Sequence, residues 1–341
     1  MRTADMHCDT ISKLYAERQE KKDSGNLRKN GFQVDLEKLK KGGCLVQNFA
    51  MYVDRQAVES PYETAMEMIT LLEEELSGNE DLILPARSYE EILENDRNGK
   101  MSALLTLEEG AVFEGKLERI REFYDRGVRM AAVSWNYENE IGFPNLVWGE
   151  DGVPALRKRQ ERGLTAFGTE AVREMERLHM LVDVSHLSDG GFWDVYRHTR
   201  ASFVASHSNA AAVSGVSRNL TDDMIRALGE RGGVTGLNFC AAFLSEQCAF
   251  EENGMPRKDS SVCVGRLSDM VRHVRHITSV GGIEVCGLGT DFDGIGNSVE
   301  LLDASGMELL SEALHRNGFS WEEIEKIFYK NVLRVYREVL K

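Results

Sequence analysis

No Cys-x-x-Cys pair occurs in this chain. The six cysteines, Cys8, Cys44, Cys240, Cys248, Cys263 and Cys286, are scattered along 341 residues. In a chain of this size that scatter reads as reduced core thiols rather than a disulfide framework. Positive charge is scarce as well. A formal net charge of −15 argues against nucleic acid or an anionic membrane as a partner. Long apolar runs are missing, since the tail from Glu322 to Lys341 is amphipathic and charged. It is neither a membrane span nor a lipid-anchor signal. The first strand-like run begins at Ala4, which leaves no room for a secretory leader, so a cytoplasmic protein is expected. Internal repeats, low-complexity segments and domain linkers are absent too. What remains, 42% apolar and 28% charged residues, supports a large core. The expectation is one domain over residues 1–341.

Short β-rich apolar runs alternate with longer helical patterns, the mark of an α/β protein with a parallel sheet. The runs are Ala4–Asp9, Cys44–Val53, Ser102–Glu108, Val128–Ser134, Leu181–His186, Ser202–His207, Gly233–Phe239 and Val285–Asp291. Helical patterns cover Tyr62–Leu76, Tyr89–Asn95, Lys116–Asp125, Ala166–His179, Thr221–Glu230, Gly265–Val280, Gly306–His315 and Trp321–Leu340. Only Trp135–Leu164, with Pro144 and Pro154 inside it, is irregular, and a loop of that length is usually functional, often a lid.

Eight such units build either a closed (β/α)8 barrel or a long open sheet. A barrel gathers active residues at the C-terminal ends of many strands; an open sheet feeds one crevice from fewer. The metal-capable side chains fall at strand ends in succession: His7 and Asp9, Glu108, His186, His207 and Asp291. Strand alternation places His7 and Asp9 on one face and Cys8 on the other. By the same rule Leu104 and Thr106 lie beneath Glu108, Val182 and Val184 beneath His186, and Phe203 and Ala205 beneath His207. Six polar tips from five strands converge only in a barrel, so a TIM-like barrel is predicted.

Taken singly, each residue has an ordinary reading. A histidine at a strand end is commonly a hydrogen-bonded structural residue, Glu108 could be a surface carboxylate beside Glu109, and Asp291 could cap the turn Asp-Phe-Asp-Gly. Together, three histidines and three carboxylates facing inward are costly to bury without a cation. Imidazole and carboxylate suit zinc or another first-row divalent ion. Six candidates exceed one tetrahedral shell but suit two metals sharing a carboxylate, a site that lowers the pKa of a bridging water and polarises a carbonyl. Asp291, close to that water, can take its proton and pass it to a leaving amine. The remaining histidines, His179, His198, His273, His276 and His315, lie in helical patterns and are read as structural.

Seven motifs in order carry a resemblance over nearly the whole chain. They are Met-His-Cys-Asp-Thr at 6–10, Thr-Leu-Glu-Glu-Gly at 106–110, Gly-Leu-Thr-Ala-Phe-Gly at 163–168, Val-Asp-Val-Ser-His-Leu-Ser at 182–188, Ala-Ser-His-Ser-Asn-Ala at 205–210, Ser-Arg-Asn-Leu-Thr-Asp-Asp at 217–223 and Gly-Leu-Gly-Thr-Asp-Phe-Asp-Gly at 287–294. The chain resembles the membrane (renal) dipeptidase family of zinc peptidases, of the amidohydrolase-like barrels. The resemblance implies two zinc ions, one held by His7 and Asp9, the other by His186 and His207, with Glu108 bridging. It implies Asp291 as the acid/base residue and Arg218 as the fork that binds the terminal carboxylate of a dipeptide. It further implies hydrolysis of L,L and L,D dipeptides and a homodimer.

One position departs from that pattern. Where well-known animal members carry a substrate-contacting histidine at the tip of strand four, this chain has Trp135, followed by Asn136. Tryptophan donates only through its indole N–H, so Trp135 is expected to pack against the substrate at the rim. The segment Phe239–Glu252 also fits the family poorly and is expected to shape the pocket. The sequence admits two rival readings. A lactonase or deaminase on the same barrel would typically begin with His-x-His, which His7-Cys8-Asp9 is not. A catalytically silent binding protein is supported only by Trp135.

Overall fold

The computed structural model describes residues 1–22, 25–251, 254–257, 263–296 and 298–341. Glu252, the end of the segment that fits the family poorly, lies outside them. Eight parallel strands neighbour one another in chain order: β1 (Thr3–Asp5), β2 (Cys44–Tyr52), β3 (Met101–Glu108), β4 (Val128–Ala132), β5 (Leu181–Asp183), β6 (Val204–Ala205), β7 (Val234–Leu237) and β8 (Cys286–Leu288). β1 pairs with β8 through Asp5 and Leu288, and β2 pairs with β3 from Val46–Ser102 to Tyr52–Glu108. Those pairings close the sheet into the expected TIM-like barrel. A short strand at Ile83–Pro85, too brief to read from sequence, adds to the lower end of β3.

The interior is filled from several strands at once. Leu104, Met130, Leu181, Val204 and Val234 form one cluster with Val335, Tyr336 and Val339 of the helix Asn331–Val339. Tyr336 is fully buried there and donates its hydroxyl to Asn48 Oδ1 at 2.8 Å. The C-terminal helix is thus the barrel's floor. It continues from Trp321–Glu325 through a π-helical turn at Lys326–Lys330, so the run predicted as one helix carries a local irregularity.

Leu104 stands in the interior beneath Glu108, as alternation required. On β5 and β6 the expected columns are wrong. Leu181 and Val204 face inward, whereas Phe203 packs outward on Phe192 of the helix between β5 and β6, ring centroids 5.5 Å apart. The reason is that both ladders stop early, at Asp183 and Ala205. His186 and His207 lie beyond them, and His186 has a φ of +66°, which reverses the direction of its side chain.

The helices Pro61–Ser77, Tyr89–Arg97, Leu117–Asp125, Ala166–Arg177, Asp222–Glu230, Leu267–Gly281 and Met307–Arg316 lie where apolar periodicity put them, with ends shifted by a residue or two. Their starts are chemically marked: Ser60, Ser88, Thr165 and Thr221 each accept a first-turn backbone N–H. All six cysteines are unpaired. Among the described residues no helix is long and apolar enough to cross a membrane.

Candidate active site

The top of the barrel gathers the strand-end residues into one buried cluster. His7, Asp9, Glu108, His186 and His207 are each less than a tenth exposed. Glu108 lies at their centre. Its Oε2 is 3.2 Å from His7 Nε2, and Oε1 is 3.1 Å from His186 Nε2 and 3.5 Å from His207 Nε2. Asp9 Oδ2 stands 3.3 Å from His7 Nε2, and the two imidazole Nε2 atoms of His186 and His207 are 3.1 Å apart. One carboxylate therefore faces two groups, His7 with Asp9 and His186 with His207, each able with Glu108 to hold a cation. Cys8 turns away into the core, its thiol donating to the Asn48 carbonyl at 3.3 Å. Glu109 also turns away, accepting from Asn139 Nδ2 and the Ala111 N–H.

Asp291 completes the rim of the cluster. Its Oδ1 is 4.0 Å from His7 Nε2, and Oδ2 accepts from Asn238 Nδ2 at 2.8 Å. Asn238, at the tip of β7, was missed from sequence, although a buried asparagine closing an apolar strand is a visible signal. Like His186, Asp291 has a positive φ, +60°. Such backbone costs about 1–3 kcal/mol per residue and persists where surrounding structure imposes it.

Two of the three rings, those of His186 and His207, are oriented from behind. Asp183 accepts from the backbone N–H groups of Ser185 and Ser206 and, through a short bond, from the Ser206 hydroxyl. Ser206 Oγ is 2.7 Å from His207 Nδ1. With the hydroxyl proton committed to Asp183, Nδ1–H of His207 donates to Oγ and Nε2 keeps its lone pair toward the cluster. His186 Nδ1 meets Asn136 Oδ1 at 3.1 Å, with the same result. Ser206, Asp183 and Asn136 carried no ligand-type signal in the sequence.

The electrostatics fit a cation. His7 Nε2 and Asp9 Oδ1 are buried without a hydrogen-bond partner. Burial, reinforced by Glu108, pushes Asp9 up to about 8, and burial lifts Asp291 to about 6. Burial and the Arg218 charge hold His186 down at about 4; burial, His7 and Arg218 hold His207 well below its usual value. Both rings are thus neutral, the ligating form. A Cβ on Gly294 would stand 2.1 Å from Asp9 Oδ2 and 2.6 Å from Asp291 Oδ1, so only glycine leaves the cradle open. The donor set of imidazoles and carboxylates is one that first-row divalent ions take.

Above the cluster opens a cavity of about 480 Å³, within the range of small-molecule sites. Tyr52, Trp135, Asn136, Cys240, Phe243 and Ile295 line it with the cluster residues. Trp135 packs against Tyr52 and Tyr137, with ring centroids 4.8 and 5.6 Å away. Arg218 does not line this cavity but lies beside it, its guanidinium 5.6 Å from the Phe243 ring. It is buried, donates NH1 to Ser208 Oγ at 2.6 Å, and leaves Nε and NH2 without partners. A buried cationic fork with unused donors suits a carboxylate.

The irregular segment Trp135–Leu164 starts at this rim, where Trp135 and Asn136 line the cavity. It is pinned rather than loose: Asn145 N–H donates to the His186 carbonyl at 2.6 Å, Ser217 N–H to the Leu156 carbonyl at 2.6 Å, and Arg159 grips Asp189 and the Asn219 carbonyl.

A closed parallel barrel bearing this cluster at its C-terminal face defines a metal-dependent hydrolase. The chain belongs to the membrane dipeptidase family, peptidase family M19, which it matches along residues 1–341. A relative from Klebsiella pneumoniae, an uncharacterized protein in the pqqA 5′ region, is 35% identical over 72% of this chain and 86% of that protein. The crystal structure of dipeptidase AC, an M19 metallopeptidase, superposes with a TM-score of 0.85 at 26% identity, covering 100% of this chain and 99% of that one. A metallopeptidase from Rhodobacter sphaeroides, crystallised with a phosphinate mimic of L-Ala-D-Ala, gives a TM-score of 0.85 at 24% identity, with 99% of each chain covered. The chain is a metallo-dipeptidase, and neither the lactonase or deaminase reading nor that of a silent binding protein stands beside this match.

Proposed function

We propose that the chain is a two-zinc dipeptidase of one domain that cleaves both L,L and L,D dipeptides. The observation that carries this reading is Glu108, whose two oxygens face separate pairs, His7 with Asp9 and His186 with His207. In this reading each pair would hold one ion, and Glu108 would be the carboxylate they share. Two such ions lower the pKa of a bound water and polarise a carbonyl.

The remaining work belongs to the chain's own side chains. Asp291, with Oδ2 anchored by Asn238, keeps Oδ1 toward the cluster and is placed to accept a proton there and return it to the leaving amine. Arg218 offers Nε and NH2 to the terminal carboxylate of the substrate, which fixes the dipeptide end on. Trp135 and Tyr52 wall the side of the cavity against which a substrate side chain packs. The phosphinate L-Ala-D-Ala mimic taken by the Rhodobacter sphaeroides relative favours tolerance of a D-residue at the C-terminal position.

Elemental analysis of metal-replete protein, combined with a panel of L,L and L,D dipeptides and their C-terminal amides, tests the proposal. Two zinc ions per chain and turnover of free-carboxylate dipeptides of both kinds are expected. A single tightly bound ion, or equal turnover of the amides, contradicts it.

A further inference from the structure

Peptide hydrolysis puts negative charge on the scissile carbonyl oxygen, and a preorganised N–H aimed at that oxygen accelerates it. Besides the ligand His186, six side chains lining the cavity can donate: Ser12, Lys13, Tyr52, Trp135, Asn136 and, weakly, Cys240. Ser12 spends its hydroxyl proton on the Ala50 carbonyl. Lys13 is drawn aside by Asp293, 4.0 Å away, and by the Phe32 ring. Tyr52 and Trp135 pack on each other in the aromatic wall, and the Trp135 ring centroid is 6.1 Å from that of His186. Asn136 alone of these six is hydrogen-bonded to a member of the cluster.

The direction of that bond decides which end of the amide is left. His186 Nε2 points at Glu108 Oε1 and His207 Nε2, so as a ligand it needs its lone pair there and carries its proton on Nδ1. An Nδ1–H requires an acceptor, so Asn136 must present Oδ1 to it. The Nδ2 amino group then has no acceptor among the described residues, although Asn136 is only partly exposed and borders the cavity. The backbone is fixed as well, since the Asn136 carbonyl accepts the Trp148 indole N–H at 3.1 Å. A held amide with two unspent donors beside the cluster is a preorganised donor.

We propose that Asn136 is a catalytic residue: while Oδ1 holds His186 by Nδ1–H, its Nδ2–H hydrogen-bonds the scissile carbonyl oxygen of the dipeptide as negative charge builds on it. This assignment rests on the dipeptidase reading of the site. No bond is made or broken by Asn136, and its proton stays on nitrogen throughout. Trp135, one residue earlier, keeps the packing role.

The test uses full-length protein reconstituted with zinc, and compares wild type with Asn136→Ala and Asn136→Asp. Three quantities are read: kcat and KM on one dipeptide, the inhibition constant of a phosphinate dipeptide mimic, and zinc affinity by chelator competition. At saturating zinc both variants should lose about 10²–10³-fold in kcat with little change in KM. The phosphinate, whose tetrahedral oxygens imitate the charged state, should weaken far more than the substrate. Asn136→Ala should also bind zinc about 10–100-fold less tightly, as loss of an orienting partner does, whereas Asn136→Asp keeps an oxygen for His186 and should hold zinc as wild type does. Wild-type kcat and phosphinate affinity in Asn136→Ala overturn the donor role; unchanged zinc affinity in that variant overturns the hold on His186. A wild-type protein that binds two zinc ions yet cleaves no dipeptide sinks the dipeptidase reading itself, and the donor role with it.

Discussion

Two side chains at the barrel mouth show how much depends on single atoms. Asp291 can exchange a proton because one oxygen is tied to Asn238 and the other is free toward the cluster. Replacing it by asparagine keeps the shape and removes the basic oxygen. Asp291→Asn should therefore retain its metal content and lose about 10²–10⁴-fold in turnover. Metal analysis and kcat on the same preparation check this; near-wild-type kcat would assign proton transfer to another group. Gly294 contributes by having no side chain. A methyl group there meets Asp9 Oδ2 and Asp291 Oδ1 well inside contact distance, so one carboxylate must move. A displacement of about 1 Å at a reacting centre costs on the order of 10²-fold. Gly294→Ala should show both lower activity and lower metal occupancy, with unfolding of the metal-free protein by urea little changed.

At the scale of elements, the question is what turns a strand end into a ligand platform. After His186 the chain goes directly into the helix Asp189–His198, whose first turn is capped by Ser188 Oγ accepting the Gly191 N–H at 3.0 Å. The same hydroxyl donates to the Arg162 carbonyl of the rim segment at 2.6 Å. Ser188→Ala should lower stability by about 1 kcal/mol, as loss of such a cap does, and raise KM by freeing the rim. Urea unfolding and steady-state kinetics measure the two effects. A second helix carries a buried titrating group. His273 accepts the Ala210 N–H at Nδ1 and faces the Leu244 carbonyl through Nε2, and burial holds it near 4. The folded state keeps this ring neutral while the unfolded chain takes up a proton below about pH 6.5. The unfolded state thus binds more protons between about 6.5 and 4, so stability is full above that window and drains as pH falls through it. Urea midpoints should decline across this range in the wild type and more shallowly in His273→Gln.

Legibility from sequence divides at the same scale. The eight barrel strands could be read because each is a short apolar run, and Glu108 because β3 stays regular up to its last residue, so alternation separates it from Glu109. The helix Asp189–His198 was hidden by Gly190 and Gly191, poor helix formers. They are there because a Cβ on Gly190 would meet the Glu161 carbonyl oxygen at 2.1 Å, and one on Gly191 would meet Leu187. His186 and His207 were found by residue type but with the wrong columns beneath them, since periodicity carries no information past the end of a ladder. Asn136, Asn238 and Ser206 could be seen as polar residues, but their partners His186, Asp291 and Asp183 are distant in sequence, and no local pattern announces such pairings.

For the molecule as a whole, floor and mouth are coupled through the barrel between them. A metal bound only by the folded chain adds to stability by mass action. Removing it with a chelator should lower Tm by several degrees, and returning zinc should restore it; an unchanged Tm would mean that the cluster does not bind metal tightly. A chain ending before Trp321 would lose the helix whose Val335, Tyr336 and Val339 fill the interior. It should neither unfold cooperatively nor retain metal, as calorimetry and elemental analysis would show.

The closure of β1 on β8 has a consequence for biosynthesis. His7 and Asp9 are made well before Asp291, and they reach it only once β8 lies against β1. Pairing across such a separation forms late, because the loop must be ordered before the contact rewards it. A nascent chain thus carries His7 and Asp9 without the carboxylate that completes the centre until β8 has been made. Synthesis through β8 is therefore expected to act as the activation step, and a product terminated before Asp291 should show no dipeptidase turnover.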